Sequence, residues 1–239
     1  MTLMKRKMMM SKLIVLLSGG LDSVVSLAKV RNNYDEVLAL TFDYGQKSFE
    51  AEKKASEKIA KFYNAKHQVI KLDWLAKISQ STLNTDDNIP HPSEKELDNF
   101  YITEKSAASV WVPNRNGLFV NIAACFADAF NYDAILIGAN KEEGATFKDN
   151  TPEFVAAINN SFENSLNAKV CLIAPLIEMT KQEIIKTGLD LKVPFELIHS
   201  CYLGEEKHCG LCESCQRLKR ALELNNRHDI VLKIFKQEG

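Results

Sequence analysis

The chain has 239 residues, of which 46% are hydrophobic, so it is long enough to bury a sizeable apolar core. Its 30 lysines and arginines nearly balance its 31 aspartates and glutamates, which leaves a net charge of −1. No overall positive field therefore draws the molecule to nucleic acid or to an anionic membrane. These properties favour small-molecule partners and predict neither a nucleic-acid partner nor a membrane partner.

The opening sequence MTLMKRKMMMSKLIVLL places basic residues before an apolar run and so superficially resembles a secretory signal. The apolar run at residues 13–17 ends at Ser18-Gly19-Gly20, however, and no small-residue cleavage pattern follows. We interpret it as an irregular start before a buried strand; whether residues 1–10 are native or precede an alternative start is left open. No apolar run reaches the roughly 18 residues of a membrane-spanning helix, so we expect a cytoplasmic protein.

Five short apolar runs predict β-strands, at residues 13–17, 37–42, 68–72, 134–137 and 170–173. They are too apolar to lie on a solvated sheet face, which indicates a parallel sheet with both sides covered. Helix-period segments alternate with these runs, as expected of βαβ units with right-handed crossovers. The predicted fold is therefore α/β: an open, mostly parallel Rossmann-like sheet with helices on both faces.

Helix positions are indicated by apolar stripes and by helix-start patterns. Thr151-Pro152-Glu153 offers a capping residue and a proline at the first helical position, and Thr180 with Glu183 fits a capping box. Three stripes at helical spacing predict core packing: Ala51, Ala55, Ile59 and Phe62; Phe119, Ile122, Phe126 and Phe130; and Phe154, Ile158 and Phe162.

Two stretches depart from this alternation. Residues from about 78 to 111 are polar and predict a long insertion that acts as a lid. The segment after Pro194 contains most of the cysteines. We therefore predict a nucleotide-binding α/β unit at residues 12–195, carrying the insertion, and a small helical zinc-binding module at residues 196–239 that packs on the first unit rather than folding independently.

A glycine-rich loop, Ser18-Gly19-Gly20-Leu21-Asp22-Ser23, joins the first strand to the first helix. Its two glycines let the backbone approach an anion closely, and the helix that begins at Asp22 or Ser23 directs free N–H groups towards that anion. The pattern is neither a Walker A loop nor a dinucleotide fingerprint. It predicts a pyrophosphate site, with a plain glycine turn between strand and helix as the structural alternative.

The SGGxDS pattern resembles the PP-loop of ATP pyrophosphatases, which cleave ATP between the α and β phosphates and adenylate a substrate oxygen. Asp22 would repel phosphate oxygens unless a cation intervened, so we predict ATP with bound Mg²⁺ as co-substrate. The second predicted strand ends at Asp43, at the sheet edge where ligands bind in open α/β folds, and we expect adenosine there. The predicted nucleotide contacts are Leu17, Ser18, Gly19, Gly20, Leu21, Asp22, Ser23, Val24, Val25, Ser26, Leu27 and Asp43.

Four of the six cysteines lie within fifteen residues, separated by seven, two and two residues. Four sulfur ligands suit tetrahedral zinc and fill its coordination sphere, which predicts one structural zinc ion per chain. Their clustering, with Cys125 and Cys171 standing alone, indicates metal in a reducing compartment rather than a disulfide framework. The predicted metal ligands are Cys201, Cys209, Cys212 and Cys215.

Other uses of this cysteine segment are open. The cysteines could have a redox or sulfur-carrying role, or the segment could grip nucleic acid through Arg217, Lys219 and Arg220. His199 and His208 lie near enough in sequence to replace a cysteine ligand. Because four cysteines are present, we interpret both histidines as surface or supporting residues.

Together with further motifs, the loop and the cysteines resemble the 7-cyano-7-deazaguanine synthase family of queuosine biosynthesis, from about Lys12 to the helix at residues 216–222. The motifs that carry the resemblance are Ser18–Ser23, Phe42-Asp43-Tyr44-Gly45-Gln46, Val112-Pro113-Asn114-Arg115-Asn116, Gly138-Ala139-Asn140, Ser200-Cys201-Tyr202 and Cys209-Gly210-Leu211-Cys212. The resemblance implies a homodimer that converts 7-carboxy-7-deazaguanine and ammonia, with ATP, into 7-cyano-7-deazaguanine, releasing AMP and pyrophosphate.

The resemblance also implies roles for particular residues. We assign catalysis to Ser18, Asp22, Ser23 and Arg115, and substrate contacts to Arg115, Asn116, Glu143, Phe147 and Asp149. Arg115 could instead be a structural ion-pair partner, and either Lys47 or Arg115 could offset charge that develops during the reaction.

One loop departs from the family's commoner form, in which an aspartate and one further residue precede Ser-Gly-Tyr-Pro-Asp-Cys-Arg. Here the segment from Glu143 to Thr151 keeps an acid, an aromatic residue at Phe147 and Asp149, but it lacks the arginine. Whether the product is the nitrile or the intermediate amide is therefore open, as is the simpler reading of a solvated loop. A tRNA-modifying thiolase and a zinc-bearing binding protein without turnover are the alternative functions.

Overall fold

The computed structural model describes residues 11–237, so the predicted irregular start at residues 1–10 lies outside the described residues. The described chain forms a five-stranded parallel sheet of order β3-β2-β1-β4-β5. The strands are β1 (Lys12–Leu16), β2 (Glu36–Asp43), β3 (Lys66–Lys71), β4 (Ala134–Leu136) and β5 (Cys171–Ile173). All five predicted strands and the open parallel sheet are confirmed.

Helices follow most strands, as the alternating pattern predicts. Both predicted helix starts are confirmed: the Thr151 hydroxyl accepts from the Phe154 N–H at 3.2 Å, and Thr180 and Glu183 form a capping box. The helices are α1 (Leu21–Val30), α2 (Phe49–Phe62), α3 (Asp73–Ile78), α4 (Phe100–Val110), α5 (Arg115–Phe130), α6 (Lys141–Gly144), α7 (Pro152–Ser165), α8 (Lys181–Asp190), α9 (Glu213–Leu224) and α10 (His228–Ile234).

The central strands are covered on both faces. Six consecutive residues of β2, residues 37–42, are buried, and successive side chains in a strand point to opposite faces. The edge strand β3 is different, because Lys66, Gln68 and Lys71 are exposed. The expectation that every predicted strand is fully covered is therefore wrong for both edge strands, β3 and also β5, where Cys171 is exposed; each has a neighbouring strand on one side only.

The predicted helical stripes are only partly core-facing. Ala55 and Ile59 of α2 and Phe119 of α5 are buried as predicted. Phe62 and Phe130 are 55% and 58% exposed, although the pattern assigns both to the core. Each is the last residue of its helix, so periodicity alone places it on the core-facing stripe without showing where the covering structure ends.

The insertion at about residues 78–111 is more ordered than a polar sequence suggests. It contains a 3₁₀ helix, Glu94–Asp98, and the whole of α4. Leu83, Ile89 and Leu97 are buried and belong to the main core cluster. These apolar residues, spaced widely among polar ones, fix the insertion to the body of the protein.

The cysteine segment packs directly against the α/β unit. The His199 N–H donates to the Gly19 carbonyl at 2.8 Å, and Leu218 of α9 belongs to the same hydrophobic core as the sheet. These contacts fit the proposed packing of residues 196–239 on residues 12–195, and that division stays a prediction. No helix within residues 11–237 is long and apolar enough to cross a membrane.

Candidate functional site

A cleft of about 260 Å³ opens at the carboxyl ends of β1, β2 and β4. Here β1 lies between β2 and β4, so the chain crosses from one side of β1 to the other, and ligands of open α/β folds bind at this point. The walls come from the loop after β1, the insertion, the start of α5, the segment after β4, Lys181 of α8 and the cysteine segment.

The conformation of the loop after β1 requires glycine at two positions where the backbone packs closely against neighbouring residues. Gly19 has φ +78°, and a Cβ atom there would lie 2.7 Å from the Cβ of Ala55. Gly138, just after β4, would place a Cβ atom 2.7 Å from the backbone nitrogen of Ser23. Glycine at both positions therefore lets α1 and α2 close around the loop, with the N-terminus of α1 at the cleft.

Two serine hydroxyl groups hold the loop in shape. The Ser23 hydroxyl donates to the Gly20 carbonyl at 3.1 Å, and the Gly20 N–H donates to the Ser18 hydroxyl at 3.2 Å. The two hydroxyl oxygens are 3.2 Å apart. The helix begins at Leu21, one residue before the predicted start.

The structure brings only part of the predicted nucleotide set to the cleft. The residues of that set that line it are Leu17, Ser18, Gly20, Leu21, Asp22 and Ser23. Gly19 instead faces α2, and Asp43 accepts the Gly45 N–H at 3.2 Å outside the cleft lining. Four further residues of the set are buried in α1 and lie outside the cleft lining, and their assignment to the nucleotide site stays a prediction: Val24, Val25, Ser26 and Leu27.

Lys181 lies at the centre of the charged part of the cleft. Its ammonium group is 2.6 Å from Asp22 Oδ2 and 2.7 Å from Glu143 Oε1, and only 11% of its side chain is exposed. Sequence reasoning used Lys181 only as part of a helix-start pattern and missed this contact. A signal was present, because a cation in the first turn of a helix opposes the helix dipole and therefore needs carboxylate partners elsewhere.

The two carboxylates beside Lys181 differ electrostatically. Burial raises the pKa of Asp22 to about 6, against the opposing effect of Lys181. Burial also disfavours ionised Glu143, but the charge and hydrogen bond of Lys181, together with a hydrogen bond from Asn140 and the charge of Arg115, outweigh burial and lower the pKa of Glu143. Asp22 Oδ1 is buried and has no hydrogen-bond partner among residues 11–237. That oxygen is available to a cation, which fits the magnesium ion expected with ATP.

Arg115 lies on the insertion side of the cleft, at the start of α5. Its guanidinium group donates to the Tyr44 hydroxyl at 3.2 Å and lies over the Tyr44 ring, 5.8 Å from the centroid. Below it, Phe42 and Phe119 stack with centroids 4.0 Å apart. Arg115 has no salt bridge within the described chain, so its charge stays available to an anionic ligand.

The other predicted substrate residues also line the cleft, but several already bond to each other. The Asn116 side chain donates to the Asp149 carbonyl at 3.2 Å, and the Asn116 N–H donates to the Asp149 carboxylate at 3.4 Å. Asp149 is thus held at the N-terminus of α5. Phe147 has its ring in the cleft, whereas Lys47 donates to the Asp87 carbonyl at 2.7 Å and lies outside the cleft lining.

A second charged group, which includes the cleft-lining residues Glu213 and Arg217, joins three parts of the chain. Arg217 of α9 contacts Glu213 at 2.9 Å and Glu142 of α6 at 3.2 Å. Glu213 in turn accepts from the Ser106 hydroxyl of the insertion at 2.5 Å. Arg217 therefore faces acidic neighbours inside the protein, which weakens the interpretation that it grips nucleic acid.

The four clustered cysteines converge as the spacing predicts. Their sulfur atoms all lie within 4.8 Å of one another, and three of the four residues are buried. The Leu211 and Cys212 N–H groups point at the Cys209 sulfur, at 3.3 and 3.4 Å. Four sulfurs at this separation form a donor set that fits a tetrahedral metal ion. Cys125 and Cys171 are free and exposed.

The two histidines near the cysteines are buried, so their interpretation as surface residues is wrong and that as supporting residues remains. His208 Nε2 accepts the Ser200 N–H at 3.0 Å, and the Ser200 hydroxyl accepts the Leu21 N–H at 3.1 Å. A chain of hydrogen bonds thus runs from beside the cysteines to the first residue of α1. The cysteine cluster is therefore connected by hydrogen bonds to the loop after β1.

The fold and the cleft define a class: an α/β protein whose SGGxDS loop lies at the cleft and whose four-cysteine group could hold a metal ion. A family model described as "Queuosine biosynthesis protein QueC" matches residues 12–226, and the chain belongs to that family. The resemblance inferred from the motifs is thereby confirmed.

Curated relatives agree with this assignment. A protein of Methanobrevibacter smithii, named 7-cyano-7-deazaguanine synthase, is 47% identical over 93% of this chain and 97% of its own length. A protein of Pelotomaculum thermopropionicum with the same name is 50% identical over 87% of this chain and 95% of its own length. A third, from Desulforamulus reducens, is 46% identical over 87% of this chain and 92% of its own length.

Proposed function

We propose that this chain is an ATP-dependent ligase that converts 7-carboxy-7-deazaguanine and ammonia into 7-cyano-7-deazaguanine, with release of AMP and pyrophosphate. The observation that carries the proposal is the juxtaposition of Asp22, Lys181 and Glu143 at the phosphate loop of a chain that belongs to the QueC family. We further propose a cytoplasmic homodimer that works on small molecules and not on nucleic acid.

The first step activates the substrate carboxylate. One carboxylate oxygen attacks the α-phosphorus of ATP, the bond to the β-phosphate bridging oxygen breaks, and pyrophosphate leaves with the bonding electrons. The N-terminus of α1 directs N–H groups at these phosphates, and Lys181 adds a positive charge beside them. Magnesium, when bound with ATP, supplies further neutralisation of phosphate charge, and the free Oδ1 of Asp22 would help to hold it.

The next steps form the carbon–nitrogen bonds. Ammonia attacks the carbonyl carbon of the adenylate, AMP leaves with its oxygen, and loss of a proton from nitrogen gives the amide. The amide oxygen then attacks the α-phosphorus of a second ATP, pyrophosphate leaves with the bonding electrons, and the nitrogen loses one of its two protons. Loss of AMP together with the remaining N–H proton produces the nitrile. Both activations place an oxygen nucleophile at the same α-phosphate position, so one cleft serves both.

Arg115 and Glu143 are the substrate-facing charges in this proposal. Arg115, without an ion-pair partner in the described structure, would attract the substrate carboxylate. Glu143 lines the cleft and has one oxygen bonded to Lys181, so its other oxygen can accept from N–H groups of the deazapurine. We propose that the other residues of the variant loop, including Phe147 and Asp149, belong to the same surface that binds the deazapurine.

We propose that the four cysteines hold one zinc ion and that its role is structural. Four sulfur ligands leave no open position for water or substrate. No cysteine lines the cleft among residues 11–237, which disfavours the thiolase alternative, since a sulfur-delivering cysteine has to reach the substrate. The zinc ion would instead fix the segment that carries His208 and Ser200, and through them the phosphate loop.

The amide-forming alternative is favoured by one observation only, the missing arginine in the variant loop. We expect the nitrile as the final product, because Phe147 and Glu143 remain in the cleft. Purified protein supplied with 7-carboxy-7-deazaguanine, ammonium and excess ATP should form nitrile with two AMP and two pyrophosphate per product molecule. Mass spectrometry of the products together with an AMP count measures this stoichiometry.

Two controls make this stoichiometry decisive. Omitting ammonium should leave at most the carboxylate-dependent exchange of pyrophosphate into ATP, and supplying the amide directly should halve the AMP count. Accumulation of the amide at one AMP per molecule, without nitrile at long times, would show that this chain stops halfway. Absence of any substrate-dependent AMP would reject the proposed function.

A further inference from the structure

The cleft contains a tryptophan that the assignments above leave unused. Trp111 follows the last residue of α4 and keeps 38% of its surface exposed, and it lines the same cleft as the phosphate loop. Large aromatic side chains are normally removed from water, so an exposed indole inside a ligand cleft is a candidate contact surface. The other tryptophan, Trp74, lies on α3 outside the cleft lining.

The backbone around Trp111 holds the indole in place. Its neighbours Val110 and Val112 are 7% and 2% exposed and both belong to the hydrophobic core. The Val112 carbonyl accepts the Arg115 N–H at 3.3 Å, which ties this segment to the start of α5. The indole is therefore carried on a fixed segment, which lowers the entropic cost of binding against it.

Phe147 lies next to Trp111 in the lining of the cleft. The ring centroids are 6.1 Å apart and the ring planes differ by only 11°. Phe147 is also fixed by its backbone, since its N–H donates to the Glu143 carbonyl at 2.8 Å and its carbonyl accepts the Asn150 N–H at 3.1 Å. The two rings therefore present similarly oriented faces to the same space, so one flat molecule can lie parallel to both.

The position of this aromatic pair decides which flat molecule it suits. Phe147 belongs to the segment after β4, whereas the expected adenosine site lies at the end of β2, and β1 with its phosphate loop separates β2 from β4. Arg115 and Glu143, the charges that would contact the substrate carboxylate and N–H groups, lie close in sequence to Trp111 and Phe147 respectively. Because Phe147 lies on the β4 side of the phosphate loop, the pair fits an acceptor bound on that side.

We infer that Trp111 and Phe147 form the stacking surface for the deazapurine ring, and that Trp111 is a specificity-determining residue for the acceptor substrate. This inference rests on the proposed function for the identity of the acceptor. Base–aromatic stacking requires a flat π surface on the ligand. It leaves the polar groups at the edge of the deazapurine ring free for hydrogen bonds to Glu143.

Fluorescence tests the inference without relying on turnover. In the Trp74→Phe variant, Trp111 is the single tryptophan of the chain. Titration with 7-carboxy-7-deazaguanine should quench its emission in a saturable way, because the ring stacks on the indole. A non-hydrolysable ATP analogue should leave the emission nearly unchanged. The matched control is Trp111→Phe, which keeps Trp74 only and should show no saturable quenching.

Kinetics provides the second arm. Trp111→Leu should raise KM for the deazapurine by about tenfold, within the range expected from losing one base–aromatic stack, while KM for ATP stays within about twofold. Trp111→Phe should restore most of the loss, because it keeps an aromatic face. Thermal unfolding of each variant, unchanged within error, separates this loss from a folding defect.

The outcomes distinguish this inference from the proposed function. Turnover of the deazapurine without quenching of Trp111, or quenching by the ATP analogue in its place, overturns the stacking surface. Equal rises in both KM values for Trp111→Leu overturn it as well. Quenching by the deazapurine without any product supports the stacking surface and rejects the proposed chemistry.

Discussion

Replacing Lys181 with methionine should reduce substrate-dependent pyrophosphate release by about 100-fold to 1000-fold, the loss typical of removing one preorganised electrostatic contact to a transition state. Lys181 bonds to both Asp22 and Glu143 at the phosphate loop. Without its charge, the two carboxylates face the incoming phosphates unbalanced. Methionine keeps the apolar length of the side chain, so the packing of α8 is largely preserved. A pyrophosphate-release assay at saturating ATP measures the effect.

The control is a lysine on the same helix. Lys186 is exposed on α8 and has no contact with the cleft, so Lys186→Met should leave pyrophosphate release within about twofold, as surface substitutions generally do. Lys181→Met is also expected to lower stability, because breaking a buried ion pair costs about 3–5 kcal/mol. Asp22→Asn is the companion variant, since it removes the carboxylate charge of the proposed magnesium ligand and one ion pair of Lys181 but leaves Lys181 bonded to Glu143. If Lys181→Met retains more than about a third of the wild-type rate, the proposed electrostatic role is wrong.

The sheet was predictable because its information is local. Runs such as residues 13–17 and 37–42 are continuous and apolar, and a strand buried on both faces requires that kind of run. The loop Ser18–Ser23 was predictable for the same reason, since its glycines, hydroxyls and helix start are adjacent in sequence. The strand predicted at 68–72 and the helix ends at Phe62 and Phe130 show what local patterns cannot predict, which is whether an apolar residue is covered. Whether a neighbour covers an apolar residue depends on the sheet edge, which no local pattern records.

The charged part of the site was less predictable, because its partners are far apart in sequence. Lys181 and Asp22 are separated by 159 residues, and Arg217 and Glu142 by 75. A single sequence shows each residue but not the pairing. The resemblance placed Glu143 and Asp149 in the cleft, yet it did not show that Lys181 and Asn116 already bond to them. The cysteines were predictable because metal ligands share a spacing, and three of the four lie within seven residues.

Loss of a cysteine ligand from the proposed zinc site should lower both the zinc content and the stability of the protein. Cys212 is fully buried, and its neighbours in the core include Leu218 and Leu222 of α9. Cys212→Ser should leave three sulfur ligands, weaken zinc binding and lower the free energy of unfolding, because metal binding contributes directly to folding in such sites. The hydrophobic contacts of α9 remain, so the loss should be only part of the full binding energy. If the free energy of unfolding falls by about 5 kcal/mol, the melting temperature should fall by roughly 10–20 °C.

The measurement pairs metal analysis of protein purified without added zinc with calorimetry of the same sample. Wild-type protein should contain one zinc per chain, and Cys212→Ser distinctly less. The matched controls are Cys125→Ser and Cys171→Ser, because both cysteines are exposed and lie outside the cluster; both variants should keep the zinc and the melting temperature.

Pyrophosphate release should fall with the zinc content of Cys212→Ser even below its melting temperature. The reason is the hydrogen-bonded path from His208 through Ser200 to Leu21, which loses its support when the cysteine segment loosens. A zinc-free protein with unchanged melting temperature and unchanged rate would show that the cysteine cluster supports neither the fold nor the phosphate loop.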